Sequence, residues 1–117
     1  MGTKRVEPKF VVKVSIKAGV AMGPGKAALL EAIQAHGSIS GAARALEMSY
    51  SRAWLLVRSM NEQFQAPLVD VGRGGASRGG AVVTALGAKA LQKYRDMHAA
   101  ADAAIARHTK GFERLLR

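Results

Sequence analysis

The chain has 117 residues, 49% of them hydrophobic, which suits one domain with a modest core. Lys and Arg number 18 against 8 Asp and Glu, and the resulting net charge of +10 fits a polyanionic partner, either nucleic acid or an anionic membrane surface. Cysteine is absent, which excludes disulfides and thiolate zinc sites and fits a reducing cytoplasm. No apolar run is long enough to span a bilayer, so a soluble, cytoplasmic protein is expected.

Met1 to Pro8 reads as a short, loose basic tail. Phe10, Val12, Val14 and Ile16 alternate with Val11, Lys13 and Ser15, the period of a strand with one buried face. Gly19 to Gly25 is expected to be a glycine-rich connection, with Pro24 pre-set for a helix start. Ala28, Leu29, Ala32, Ile33 and His36 follow at helical spacing, and Gly37 supplies the stop.

Ser38 or Ser40 can cap a second helix, in which Ile39, Ala42, Ala43 and Leu46 share one face. Glu47-Met48 is the turn and Ser49 the cap of a third helix. Its inner stripe is Tyr50, Ala53, Trp54, Val57, Met60, Asn61 and Phe64. Its outer stripe is Ser51, Arg52, Leu55, Arg58 and Glu62, and Pro67 enforces the end. Leu68–Val71 and Ala81–Thr84 read as a hairpin around the tip GRGGASRGG. Thr84 can then cap a last helix, with Tyr94, Met97, Ala101, Ile105, His108 and Phe112 at near-heptad steps. The expected architecture is mainly α with a small β-hairpin: a winged helix-turn-helix over residues 1–84, then a C-terminal dimerisation helix over residues 85–117.

A helix that reads duplex DNA needs short polar or forked side chains near its N-terminus. Ser49 and Ser51 suit that place, and Arg52 can bond guanine O6 and N7 bidentately. Tyr50 either bonds a phosphate or packs inward. Leu55 falls on the polar face, where it either meets a thymine methyl or simply stands in solvent. Arg44 and Arg58 suit the phosphate backbone, and Arg73 and Arg78 sit on the glycine-rich tip, which either follows the DNA or is a solvated loop. Trp54, with apolar neighbours at helical spacing, reads as core.

Enzymatic readings find no support. Gly25-Lys26 resembles the end of a phosphate-binding loop, but Val20 and Ala27 stand where that loop needs Gly and Ser or Thr. His36, His98 and His108 lack ligand-like spacing with carboxylates, and no nucleophile, base and orienter can be assigned. No metal, cofactor or small-molecule effector site is expected.

The runs GPGKAALLEAIQAHGSISGAARALEMSYSRAW, PLVDVG and GGAVVTALGAKAL resemble the N-terminal DNA-binding domain of ModE-type molybdate-responsive regulators, from about Lys9 to Tyr94. Pro67-Leu68-Val69 and Thr84-Ala85-Leu86-Gly87 are similar also to the winged domain of LysR-type regulators. The resemblance implies a homodimeric winged-helix transcriptional regulator of double-stranded DNA. It implies recognition through Ser49, Tyr50, Ser51 and Arg52, a wing carrying Arg73 and Arg78, and dimerisation through the last helix. Members of that type carry a further oxyanion-binding module, whereas this chain ends at Arg117, so molybdate sensing is not carried over. The competing expectations are a nucleoid-like binder without sequence preference and a protein-interaction adaptor.

Overall fold

A computed structural model describes residues 9–72 and 79–117. The expected basic tail and residues 73–78 of the hairpin tip, Arg73 and Arg78 among them, lie outside the described residues. In chain order the elements are β1 (Val14–Ile16), β2 (Gly19–Met22), α1 (Pro24–His36), α2 (Ile39–Ala45), α3 (Tyr50–Gln63), β3 (Val69–Val71), β4 (Ala81–Val83) and α4 (Ala85–Glu113). The mainly helical winged helix-turn-helix with a long last helix is therefore present, with one strand more than expected.

That strand is β2. The span from Gly19, expected as a connection, instead turns back on β1 as an antiparallel partner, with Ser15 opposite Val20 and Ile16 opposite Gly19. Lys17 and Ala18 alone bridge the two strands, and Gly19 holds φ 130, open chiefly to glycine. The core face of this hairpin belongs to β2, whose Ala21 and Met22 are buried. Val12 and Val14 only flank the core, and Phe10 and Ile16 are exposed. The alternation of apolar residues thus marks the hairpin, though its deeper face lies in the segment that does not alternate.

The helix ends follow local chemistry. Gly37 takes φ 72 and donates its N–H to the Ile33 carbonyl at 2.8 Å, closing α1. Ser38 caps α2 by accepting from the Gly41 amide, Ser49 caps α3 through the Arg52 amide, and Thr84 caps α4 through the Gly87 amide. The α2–α3 turn is a Schellman closure: Met48 N–H bonds the Ala43 carbonyl and Glu47 N–H the Arg44 carbonyl. Glu47 occupies its left-handed position at φ 55, where glycine is the usual residue.

Leu29, Leu30, Ile33, Val57, Met60, Leu68, Val69 and Leu91 form the buried centre, joined by Ala42, Ala43 and Ala53 where α2 and α3 meet α1. Small side chains on α2 allow that close approach. His36, which falls at core spacing, is exposed at the end of α1. β3 and β4 pair antiparallel, with Val69 opposite Val83 and Val71 opposite Ala81, as the base of the wing. The amide of Ala81 donates to the Gly37 carbonyl, which fastens that base to the end of α1.

Candidate nucleic-acid interface

The third helix is held from three sides. Asn61 faces the wing base. Its Oδ1 accepts from the amides of Leu68 and Val69 at 2.9 and 3.1 Å, and its Nδ2 donates to the Val69 carbonyl at 3.0 Å. One side chain thus replaces a strand neighbour for β3 and fixes the angle between α3 and the wing. Lys26 does the same on the opposite side. Only 7% exposed, its ammonium donates to the Val20 carbonyl, to Ser59 Oγ at 2.9 Å and to Gln63 Oε1 at 3.1 Å. Three acceptors match three N–H donors, which makes burial of the charge tolerable. All three are neutral, so burial pushes the Lys26 pKa down. The remaining side is the helical core contact through Ala53, Val57 and Met60.

This bracing leaves the outward face of α3 free. Ser51, Arg52, Leu55 and Arg58 are exposed, with Leu55 at 62%. Tyr50, Ser51, Trp54, Leu55 and Arg58 line one recess of about 330 Å³ along the helix. A second recess, about 300 Å³, lies between Ile39 and Ser40 of α2, Tyr50, and Val71, Gly79 and Gly80 of the wing base. Tyr50 is the wall between them. It is 53% exposed, so its ring does not pack inward. Trp54 is half-buried against the core, but its indole N–H reaches outward and donates to the Tyr50 hydroxyl at 2.6 Å.

Arg44 projects from the last turn of α2 and is also exposed. Among the described residues the arginine–carboxylate pair is Arg95–Glu31, and Arg44, Arg52 and Arg58 have no carboxylate partner there. The cap residue Ser49 spends its hydroxyl oxygen on the Arg52 amide, which orients the first turn of α3. The structure therefore brings together Ser49, Tyr50, Ser51, Arg52, Leu55 and Arg58 on one helix, with Arg44 on the helix before it. Lys26 and Asn61 are supporting residues whose bracing role the sequence did not show: Lys26 stood out only in an incomplete phosphate-loop pattern, and Asn61 only as one member of the inner stripe. Three neutral acceptors, contributed by β2 and by two turns of α3, carry no pattern local to Lys26.

The residues expected to dimerise divide into two groups. Tyr94 is 5% exposed and donates its hydroxyl to the Val12 carbonyl at 2.8 Å, so its own domain uses it. Met97, Ala101, Ile105, His108 and Phe112 lie beyond the last buried position of α4, with Phe112 at 54% exposure. At the base of that stripe an apolar groove of about 440 Å³ is lined by Val14, Ile16, Met22, Phe64, Leu86 and Met97, among others.

Residues 26–88, more than half of the chain, match the bacterial regulatory helix-turn-helix proteins of the lysR family. The chain belongs to that family. The lysR-type segment begins at Lys26 and runs to the first turn of α4, so it contains α2, α3, the wing base and all but the first two residues of α1. Among curated relatives, the molybdenum-pterin-binding protein MopB of Rhodobacter capsulatus is 41% identical over 100 residues, 86% of this chain and 36% of its own length. MopA of the same organism is 46% identical over 66 residues, 56% of this chain and 25% of its own length. The DNA-binding transcriptional dual regulator ModE of Escherichia coli is 30% identical over 89 residues, 76% of this chain and 34% of its own length. The chain thus spans about a third or less of these relatives, and the ModE-type resemblance of its sequence is that of a lysR-type domain.

Proposed function

We propose that the chain is a DNA-binding transcriptional regulator that reads double-stranded DNA as a homodimer, with α3 as its recognition helix. The observation that carries this reading is the free face of α3. Ser51, Arg52, Leu55 and Arg58 stand exposed on a helix braced by Lys26, Asn61 and the core, in a lysR-type fold with a net charge of +10. Arg52, in the first turn, is the base reader, and its planar fork suits guanine O6 and N7. Leu55, one turn on, meets thymine methyls. Arg44 and Arg58 hold phosphates and set the register. Residues 9–84 form the reading unit. Residues beyond Tyr94 join two copies through the stripe of Met97, Ala101, Ile105, His108 and Phe112.

Selection from a random duplex pool at physiological salt tests the reading. A motif with two half-sites, spaced by one or more helical turns, is the expected product. Binding that depends steeply on salt yet enriches no sequence overturns specific readout and leaves a charge-driven binder.

A further inference from the structure

We infer that Trp54 is a positioning residue for DNA contact, acting through the phenol of Tyr50. This rests on the reading of α3 as the recognition helix. Trp54 is the only tryptophan of the chain. Its ring is half-buried against the core, so the indole is anchored, while its Nε1–H is delivered to the Tyr50 oxygen at 2.6 Å. The two residues are one helical turn apart, on the face that also carries Ser51, Leu55 and Arg58.

A phenol both donates and accepts. The Tyr50 oxygen accepts from the indole, and among the described residues its own O–H donates to no protein group. That O–H is left for an acceptor outside the chain. Accepting one bond polarises the hydroxyl and strengthens the bond it donates. It also holds an exposed side chain in one rotamer, which removes part of the ordering cost of binding. The acceptor is a phosphate oxygen. Tyr50 is the first residue of α3 and borders the recess toward Ser40, Gly79 and Gly80, at the margin of the reading face. Tyrosine side chains and helix N-termini at such margins bond the backbone of DNA.

The test is a double-mutant cycle on a duplex enriched by the wild-type protein, read by fluorescence anisotropy. Tyr50→Phe and Trp54→Phe should each weaken binding roughly 3- to 10-fold, the loss of one hydrogen bond. The double variant should bind no more weakly than Tyr50→Phe, because Trp54 acts through the hydroxyl. The salt dependence should keep its slope in all three, since a neutral O–H releases no counterion, whereas Arg44→Ala should lower it by about one. A Trp54→Phe loss that persists in full in the Tyr50→Phe background overturns the proposal and makes Trp54 a packing residue only. Unchanged affinity of Tyr50→Phe overturns it as well, and this exposed variant keeps the test decisive even where Trp54→Phe unfolds. Arg52→Ala separates the two levels. If it relaxes readout while Tyr50→Phe is neutral, the positioning role alone is lost. If neither matters, the reading of α3 falls too.

Discussion

Lys26 places an ammonium group among neutral acceptors, and the consequence is a pH dependence. Its folded pKa lies below the ordinary lysine value of 10.5 because burial disfavours the charged form. The unfolded chain therefore holds the proton to higher pH than the folded one. As pH rises from the folded value toward 10.5, the unfolded state binds more protons, and stability gains with pH. Tyr94 acts in the opposite sense. Burial raises its pKa, so the stability it lends is complete below the ordinary tyrosine value and declines above it. Comparing wild type with Lys26→Met cancels the tyrosine. Urea unfolding between about pH 7.5 and 10.5 should show the stability difference moving in favour of wild type as pH rises. A difference that stays constant with pH contradicts a depressed Lys26.

The elements are joined where glycine permits it. Gly87, in the first turn of α4, sits where an added Cβ would stand 2.3 Å from the Leu68 carbonyl oxygen and 2.8 Å from Val83 Cγ1. Helix and wing base touch there through backbone, and neither can give way as a flexible side chain would. Gly87→Ala should cost about 1–3 kcal/mol despite the better helix propensity of alanine. Gly111→Ala, with nothing within 4 Å, should be tolerated. Thermal unfolding of the two variants checks the contrast, and equal midpoints would sink it. Element boundaries at this scale were readable from sequence wherever a cap or stop acts locally: Gly37, Ser38, Ser49 and Thr84 each do what their position promises. The hairpin strand β2 was not readable, because glycines flank it and its burial does not alternate. The supporting bonds of Lys26 and Asn61 were unreadable for another reason. They connect residues brought together only by the fold, up to 37 positions apart. The outward face of α3 was legible from periodicity, apart from Tyr50, which its spacing put on the inner stripe and which stands 53% exposed at the start of the helix.

At the scale of the molecule the chain is elongated, 57 × 35 × 21 Å, because α4 runs on past its own domain. Its buried residues end at Tyr94, and its helical turns continue to Glu113. A helix this long keeps its shape in water when its apolar stripe is covered. Met97, Ile105 and Phe112 supply such a stripe, and a second copy is its natural cover. Sedimentation at roughly tens of micromolar should therefore give a dimer that Ile105→Glu converts to monomer, a charge buried in a seam being costly. Wild type sedimenting as a monomer there counts against the proposed assembly. No helix among the described residues is long and apolar enough to cross a membrane. Under the proposed function, exposed Arg44, Arg52 and Arg58 face the DNA. The most direct measurement is duplex selection run in parallel on wild type and Arg52→Ala at one fixed physiological salt. Wild type should enrich a defined motif, and Arg52→Ala should lose about 1–3 kcal/mol on it and relax preference at one base position. An even loss across all sequences, or no enrichment by wild type, would contradict readout by α3.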